Sequence, residues 1–189
     1  MNARGLVLFP GAGSDAQHSA FFAIEQAVAP LPTLRVDFGY RLAGKKFPDT
    51  APVLIECVKS AVREFAKRLQ CSTEQLVIGG RSMGGRMCTM AASDEVDPLH
   101  VLGIACIGYP LHPPKKPEQL RTAHFGNLHM PLLFVSGTRD EFGTPEELEL
   151  AWKLLPKQPT VQMIENGRHE LRGADAQVAT LVAQWLQNL

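Results

Sequence analysis

The stretch LVIGGRSMGGR, at positions 76–86, joins a short apolar run to a serine that is flanked by glycines. LVI at 76–78 has the composition of a buried strand, and GRSMG at 80–84 fits the pattern G-x-S-x-G. The residues that follow can form a helix. Glycines on both sides of the serine allow neighbouring segments to approach a sharp turn closely. The stretch therefore predicts a strand, a tight turn that carries Ser82, and a helix whose positive end faces that serine.

Apolar, strand-like runs alternate with segments of helical period along the whole chain, which indicates βα units on a parallel sheet. The predicted strands are Gly5–Phe9, Leu34–Phe38, Leu76–Ile78, Val101–Ile107, Pro131–Ser136 and Thr160–Ile164. Apolar residues recur at helical spacing over 21–28, 54–69 and 178–189, and a capping box at Thr144 begins another helix. The segment from Tyr109 to Met130 is rich in proline and is predicted to be a long loop with one helical turn at Glu118–Thr122.

Length and charge bound the class of protein. The 189 residues, 45% of them hydrophobic, suit one domain over 1–189 that buries its own core without metal or disulfide. Nineteen basic and nineteen acidic side chains cancel, which argues against a nucleic-acid or membrane-surface protein and favours a small, near-neutral substrate. No signal peptide or membrane span is recognisable. The four cysteines lack metal-site spacing and are interpreted as buried thiols, which predicts a cytoplasmic protein without cofactor.

A serine hydroxyl becomes a good nucleophile when a histidine accepts its proton and a carboxylate orients that histidine. Asp140 follows the predicted strand 131–136, and His169 follows the strand 160–164. Strand ends of a parallel sheet meet at one edge, so these residues are candidates for acid and base beside Ser82. Glu141 is the nearest rival carboxylate. Four histidines are predicted to be surface or packing residues: His18, His100, His124 and His129.

Three further groups are candidates for the substrate pocket. The turn PGAGS at 10–14 follows the first strand, and the N–H of Ala12 with that of Met83 would form an oxyanion hole; a purely structural turn is the alternative. The stiff loop with four prolines between 110 and 117 would present Tyr109 and His112 as one wall of the pocket; for His112, a structural role in the loop is the alternative. Arg81 and Arg86, which flank the serine, would receive a carboxylate or phosphate, or else pair with acidic residues.

Taken together, the turn at 10–14, GGRSMGGR at 79–86, YPLHPP at 109–114, GTRD at 137–140 and His169 resemble the compact α/β-hydrolases of the dienelactone hydrolase-like group. More narrowly, they resemble the subgroup related to the hydrolase-like subunit of a chromatin acetyltransferase complex. The resemblance implies a three-layer α/β-hydrolase fold with a minimal six-stranded parallel sheet, order 2-1-3-4-5-6, and no separate lid domain. Dienelactone hydrolases themselves use a cysteine nucleophile, so their substrate does not carry over to Ser82.

The sequence thus predicts a metal-free serine esterase that cleaves a small ester through an acyl-enzyme intermediate. A thioesterase or a small-peptide hydrolase would use the same groups. A binding or scaffold protein that keeps the fold without catalysis is the alternative of another class. Oligomeric state is left open by the sequence.

Overall fold

The computed structural model describes residues 3–189, and a six-stranded sheet forms its centre. The strands are β1 (Gly5–Phe9), β2 (Thr33–Arg35), β3 (Leu76–Arg81), β4 (Gly103–Ile107), β5 (Leu132–Gly137) and β6 (Thr160–Ile164). Their order across the sheet is β2-β1-β3-β4-β5-β6, and every neighbouring pair is parallel. The predicted order and the parallel arrangement are confirmed.

Helices connect the strands. They are α1 (Ser19–Ala27), α2 (Gly39–Leu42), α3 (Ala51–Arg68), α4 (Met83–Ala92), α5 (Pro145–Trp152) and α6 (Asp175–Gln187), with 3₁₀ turns at Thr73–Gln75 and Phe125–Asn127. The predicted capping box begins α5, because the hydroxyl of Thr144 accepts from the Glu147 N–H at 3.3 Å and the Glu147 carboxylate accepts from the Thr144 N–H at 2.8 Å. Within residues 3–189, no helix is both long and apolar enough to cross a bilayer.

Alternate residues of the central strands enter opposite hydrophobic cores. On β1, Leu6 and Leu8 pack in the core beneath α1 and α6, whereas Val7 and Phe9 pack in the core beneath α3, α4 and α5. All four side chains are fully buried. Strands that are apolar on both faces need helices on both faces, and this accounts for the three layers.

Strand β3 runs on to Arg81, beyond the predicted Ile78, and β4 begins at Gly103 and not at Val101. Two further predictions of secondary structure are also corrected. Strand β2 ends at Arg35 and does not continue to Phe38, because the Asp37 carboxylate turns to accept from the Ala16 N–H at 2.7 Å. Residues 118–122 form no helix; the helical turn lies at Phe125–Asn127 instead. The N–H of Arg121 donates to the distant Leu111 carbonyl at 2.8 Å, which holds the loop in a non-helical path.

The four cysteines are free thiols, as predicted, but only two of them are buried. Cys88 and Cys106 lie inside the core, where burial raises the pKa of each thiol well above its ordinary value. Cys57 and Cys71 are half-buried. Thiols of raised pKa stay protonated and chemically inert, which suits a packing role for Cys88 and Cys106.

Candidate active site

Ser82 occupies the turn between the end of β3 and the start of α4. Its backbone has φ 48° and ψ −117°, a conformation that a non-glycine residue adopts only under strain. The Ser82 N–H donates to the carbonyl of Ile107 at 2.8 Å, which ties the turn to the end of β4. The serine is therefore held at the carboxyl edge of the sheet, where open parallel sheets place their ligands.

The glycines of the motif make room for the neighbouring strand. A Cβ atom added to Gly80 or to Gly84 would lie 2.1 Å from the carbonyl oxygen of Phe9, far inside van der Waals contact. Only glycine therefore allows the β3–α4 turn to pack against the end of β1. This explains in physical terms why the sequence has glycine two positions before and two positions after Ser82.

Ser82, His169 and Asp140 form a continuous chain of hydrogen bonds. His169 Nε2 lies 2.8 Å from Ser82 Oγ, and His169 Nδ1 lies 3.0 Å from each carboxylate oxygen of Asp140. Asp140 and His169 are both buried. Glu141, the rival carboxylate, accepts from the backbone N–H of His169 at 3.4 Å and not from its ring. In this geometry Nδ1–H donates to Asp140, and Nε2 is free to take the Ser82 proton.

One backbone contact and one aromatic contact, both made by Phe142, hold Asp140 and the imidazole of His169 in place. The N–H of Phe142 donates to Asp140 Oδ1 at 2.8 Å, and the Phe142 ring lies against the His169 ring. Phe142 was not among the residues predicted from the sequence. Its one signal in the sequence is an aromatic residue two positions after the candidate acid.

The two predicted oxyanion donors lie in the same cavity as Ser82. Met83 is the first residue of α4, so its N–H has no acceptor within the helix. The loop of Ala12 is held by Tyr40, whose hydroxyl donates to the Ala12 carbonyl at 2.8 Å. Tyr40 is fully buried, and burial raises the pKa of its hydroxyl. Tyr40 is thus a positioning residue that the sequence alone did not reveal.

A cavity of about 540 Å³ opens above the serine. Its wall comes from the loop after β1, the β3–α4 turn, the loop after β4, and the turns that carry Asp140 and His169. The lining residues are Gly11, Ala12, Gly13, Ser14, His18, Arg81, Ser82, Met83, Arg86, Pro110, Arg121, Phe142, His169 and Glu170. The volume matches the lower half of the range for small-molecule sites, about 300–1,000 Å³.

Arg81 lines the cavity, but its guanidinium group already contacts other groups of the protein. Nη2 donates to the Glu170 carbonyl at 2.5 Å and lies 3.5 Å from the Glu170 carboxylate, and Nη1 contacts the ring of His18. Desolvation by burial lowers the pKa of Arg81, although Glu170 acts in the opposite direction. These contacts favour the alternative given above, in which Arg81 pairs with an acidic residue: it joins the β3–α4 turn to the loop after His169.

The structure also corrects the roles expected of Tyr109 and His112, since neither lines the cavity. The Tyr109 hydroxyl donates to the carbonyl of Arg121 at 2.7 Å inside the core. His112 is buried, with Nδ1 2.8 Å from the Pro113 carbonyl and Nε2 3.3 Å from the Glu147 carboxylate. The loop does form part of the pocket wall, but through Pro110 and Arg121.

The parallel sheet of this order, with a serine on the turn after its third strand, defines the class of α/β-hydrolases. The family described as "Alpha/beta hydrolase domain" matches residues 2–188 of the chain. The chain belongs to this family.

Solved structures with different names share the fold over nearly their full length. An alpha-beta serine hydrolase homologue from Coxiella burnetii superposes with a TM-score of 0.78 at 16% identity, over 98% of this chain and 86% of that one. The esterase domain of a Rhodothermus marinus protein superposes with a TM-score of 0.72 at 16% identity, over 98% of this chain and 88% of that one. Dienelactone hydrolase from Anabaena variabilis superposes with a TM-score of 0.74 at 20% identity, over 98% of this chain and 87% of that one. At such identities the similarity establishes the shared fold.

Proposed function

We propose that the protein is a serine esterase that cleaves small esters, with Ser82 as nucleophile, His169 as general base and Asp140 as the acid that orients the histidine. The observation that carries this proposal is the chain of hydrogen bonds from Ser82 Oγ through the imidazole to the Asp140 carboxylate, in which Ser82 and His169 line the cavity. Its support is chemical, because that array is what activates a serine hydroxyl. Family membership and the esterase and serine hydrolase names of the fold neighbours agree with it.

In the acylation half-reaction, Ser82 Oγ forms a bond to the ester carbonyl carbon while its proton passes to His169 Nε2. The carbonyl π electrons move onto oxygen, and the N–H groups of Ala12 and Met83 donate to the resulting oxyanion. The tetrahedral intermediate then expels the alcohol, which takes the proton from Nε2. The carboxylate of Asp140 accepts from Nδ1–H of His169 and stabilises the imidazolium throughout.

Water completes the cycle. His169 Nε2 accepts a proton from water as its oxygen bonds to the acyl carbon, and the second tetrahedral intermediate collapses with return of that proton to Ser82 Oγ. The carboxylic acid product leaves, and the enzyme regains its starting state. The cavity is walled by loops, turns and the first turn of α4, and no helix of residues 3–189 forms a cap over it, which favours a substrate of modest size.

A fluorophosphonate probe tests the proposal directly. We expect wild-type protein to react once, with the modification mapped by mass spectrometry to Ser82, and to hydrolyse p-nitrophenyl acetate and butyrate. Ser82→Ala should lose both properties. Ser14→Ala is the matched control, because Ser14 lines the same cavity whereas the serine hydrogen-bonded to His169 Nε2 is Ser82. Labelling of the Ser82→Ala protein, or a folded wild type that neither reacts nor hydrolyses esters, would refute the proposal.

A further inference from the structure

Two arginines meet the cavity beside Ser82 without an acidic partner. Arg86 lies in the first turn of α4, and Arg121 lies in the loop after β4; both line the cavity. The ion pairs found within residues 3–189 include neither of them. The one carboxylate among the lining residues belongs to Glu170, and it pairs with Arg81. The half of the cavity beside Arg86 therefore carries uncompensated positive charge.

The hydrogen-bond donors of these guanidinium groups are also incompletely used. Arg86 Nε is buried and has no hydrogen-bond partner among the residues described. Arg121 donates from Nη1 to the carbonyl of Pro110 at 3.2 Å, which positions the group and leaves further N–H donors. A buried N–H without an acceptor destabilises the fold unless a ligand supplies one. This differs from Arg81, whose guanidinium contacts Glu170 and His18.

The two positive charges act on each other. Desolvation and the charge of Arg86 lower the pKa of Arg121. The same two causes lower the pKa of the nearby His124 to about 4, so that its imidazole is neutral near pH 7 and adds no charge. Two guanidinium groups that repel each other in a partly desolvated cavity attract an anion more strongly than either would alone in water.

We propose that Arg86 and Arg121 form an anion subsite, which binds a carboxylate or phosphate group carried by the ester substrate. This inference rests on the proposed esterase function and narrows its substrate class. Guanidinium groups bind both oxyanions through paired N–H donors, and such charge-assisted bonds are about twice as strong as neutral ones. The subsite lies in the same cavity as the nucleophile, so it would select the substrate and orient its ester bond toward Ser82.

Matched substrates test the subsite on either side of the scissile bond. On the acyl side, the p-nitrophenyl monoester of glutarate is compared with p-nitrophenyl 5-methylhexanoate, in which an isopropyl group replaces the carboxylate. On the alcohol side, 4-acetoxybenzoate and 4-acetoxyphenyl phosphate are compared with neutral 4-acetoxybenzamide, which separates carboxylate from phosphate recognition. After subtraction of spontaneous hydrolysis, we expect kcat/KM for at least one anionic ester to exceed that of its neutral counterpart about tenfold or more.

Variants then assign the preference to the two arginines. Arg121→Gln and Arg86→Gln should each reduce the ratio of anionic to neutral kcat/KM by about tenfold, and Arg86→Lys should restore only part of it because the bidentate fork is lost. The ratio within one preparation is independent of the amount of correctly folded enzyme. Arg63→Gln is the charge-matched control, since Arg63 pairs with Asp97 on the surface of α3, and it should leave the ratio unchanged.

Each possible negative result overturns a different claim. Equal kcat/KM for all anionic and neutral counterparts, in an enzyme that cleaves neutral esters and is labelled at Ser82, would overturn the subsite and leave the esterase function standing. A preference that survives in both glutamine variants would overturn the assignment to Arg86 and Arg121. Absence of any hydrolysis or labelling would refute the esterase function itself and the subsite with it.

Discussion

The ring of Phe142 lies nearly parallel to the imidazole of His169, with centroids 3.9 Å apart and an interplanar angle of 26°. The stack fixes one face of the histidine, while Asp140 fixes its Nδ1 edge. An imidazole confined in this way keeps Nε2 directed at Ser82 and excludes water from one side. Phe142 also lines the cavity, so it borders the substrate as well as the general base.

Removal of the Phe142 ring should therefore slow the reaction. We expect Phe142→Ala to lower kcat for p-nitrophenyl acetate by about tenfold to a hundredfold, because the imidazole gains orientations in which Nε2 no longer faces Ser82. Phe142→Tyr is the control that retains a ring at this position. Steady-state kinetics on active-site-titrated enzyme measure the effect, and an unchanged kcat in Phe142→Ala would show that Asp140 alone orients the histidine.

Replacements at Ser82 should separate backbone strain from chemistry. Ser82→Ala and Ser82→Gly both remove the nucleophile, but only glycine adopts φ 48° and ψ −117° without strain. Relief of strain exceeds the entropy that glycine adds to the unfolded state by about 1 kcal/mol. For a chain of this size, calorimetry should place the Tm of Ser82→Gly about 2–4 °C above that of Ser82→Ala. Equal Tm values would mean that the turn stores no strain.

His112 and His169 should differ in kind when they are replaced. His169→Ala should cut kcat by orders of magnitude, since His169 moves the proton. His112→Ala should lower Tm, because buried His112 links the proline-rich loop to Glu147 on α5, and it should not change the relative rates for acetyl, butyryl and octanoyl esters. A change of chain-length preference in His112→Ala would show that this residue reaches the substrate after all.

The pH dependence of stability should report an ion-pair cluster remote from the cavity. The ammonium of Lys59 is buried and lies 2.9 Å from Asp94 and 3.3 Å from Asp97. The hydrogen bond from Lys59, with those from the Val96 and Asp97 N–H groups, lowers the pKa of Asp94 to about 2. A carboxyl group of lowered pKa stabilises the fold above its unfolded pKa of about 3.9, and this stabilisation disappears as the pH falls toward the folded value.

We therefore expect the Tm difference between wild type and Asp94→Asn to be largest above about pH 5 and to shrink between about pH 4 and pH 2. Thermal unfolding followed by circular dichroism across this range measures it. Glu95→Gln is the control: Glu95 is adjacent and exposed, and it takes part in no ion pair found within residues 3–189. A constant difference down to pH 2 would contradict the role of the Asp94 carboxylate.

Sequence reasoning could predict the placement of Ser82, Asp140 and His169 because each follows a strand whose apolar run is clear. Parallel strands bring those ends to one edge, so a correct list of strands already juxtaposes the three residues. The end of β2 was less predictable. It is an edge strand of three residues, and its end depends on the contact between Asp37 and the Ala16 N–H, which no local pattern encodes.

Which side chains of the proline-rich loop face the cavity could not be predicted, for a related reason. The His112 N–H donates to the carbonyl of Phe142 at 3.0 Å, and the Arg121 N–H donates to the carbonyl of Leu111 at 2.8 Å. These long-range backbone bonds decide which side chains face the cavity, and they present Arg121 while turning His112 away. Prolines make a loop stiff, but its direction comes from tertiary contacts.

The spacing of the hydrogen-bonded residues along the chain has a consequence for refolding. His169 is 87 positions from Ser82 and 29 from Asp140. Ser82 follows β3, Asp140 follows β5 and His169 follows β6, so the site requires all three strands. Contacts between distant positions form late, since the intervening chain must first be ordered. A refolding molecule can thus complete α3, α4 and the β1–β3 pair while it still lacks any competent imidazole. After dilution from denaturant, recovery of secondary structure should precede recovery of turnover. The time course of ester hydrolysis would then report when β6 docks on the sheet.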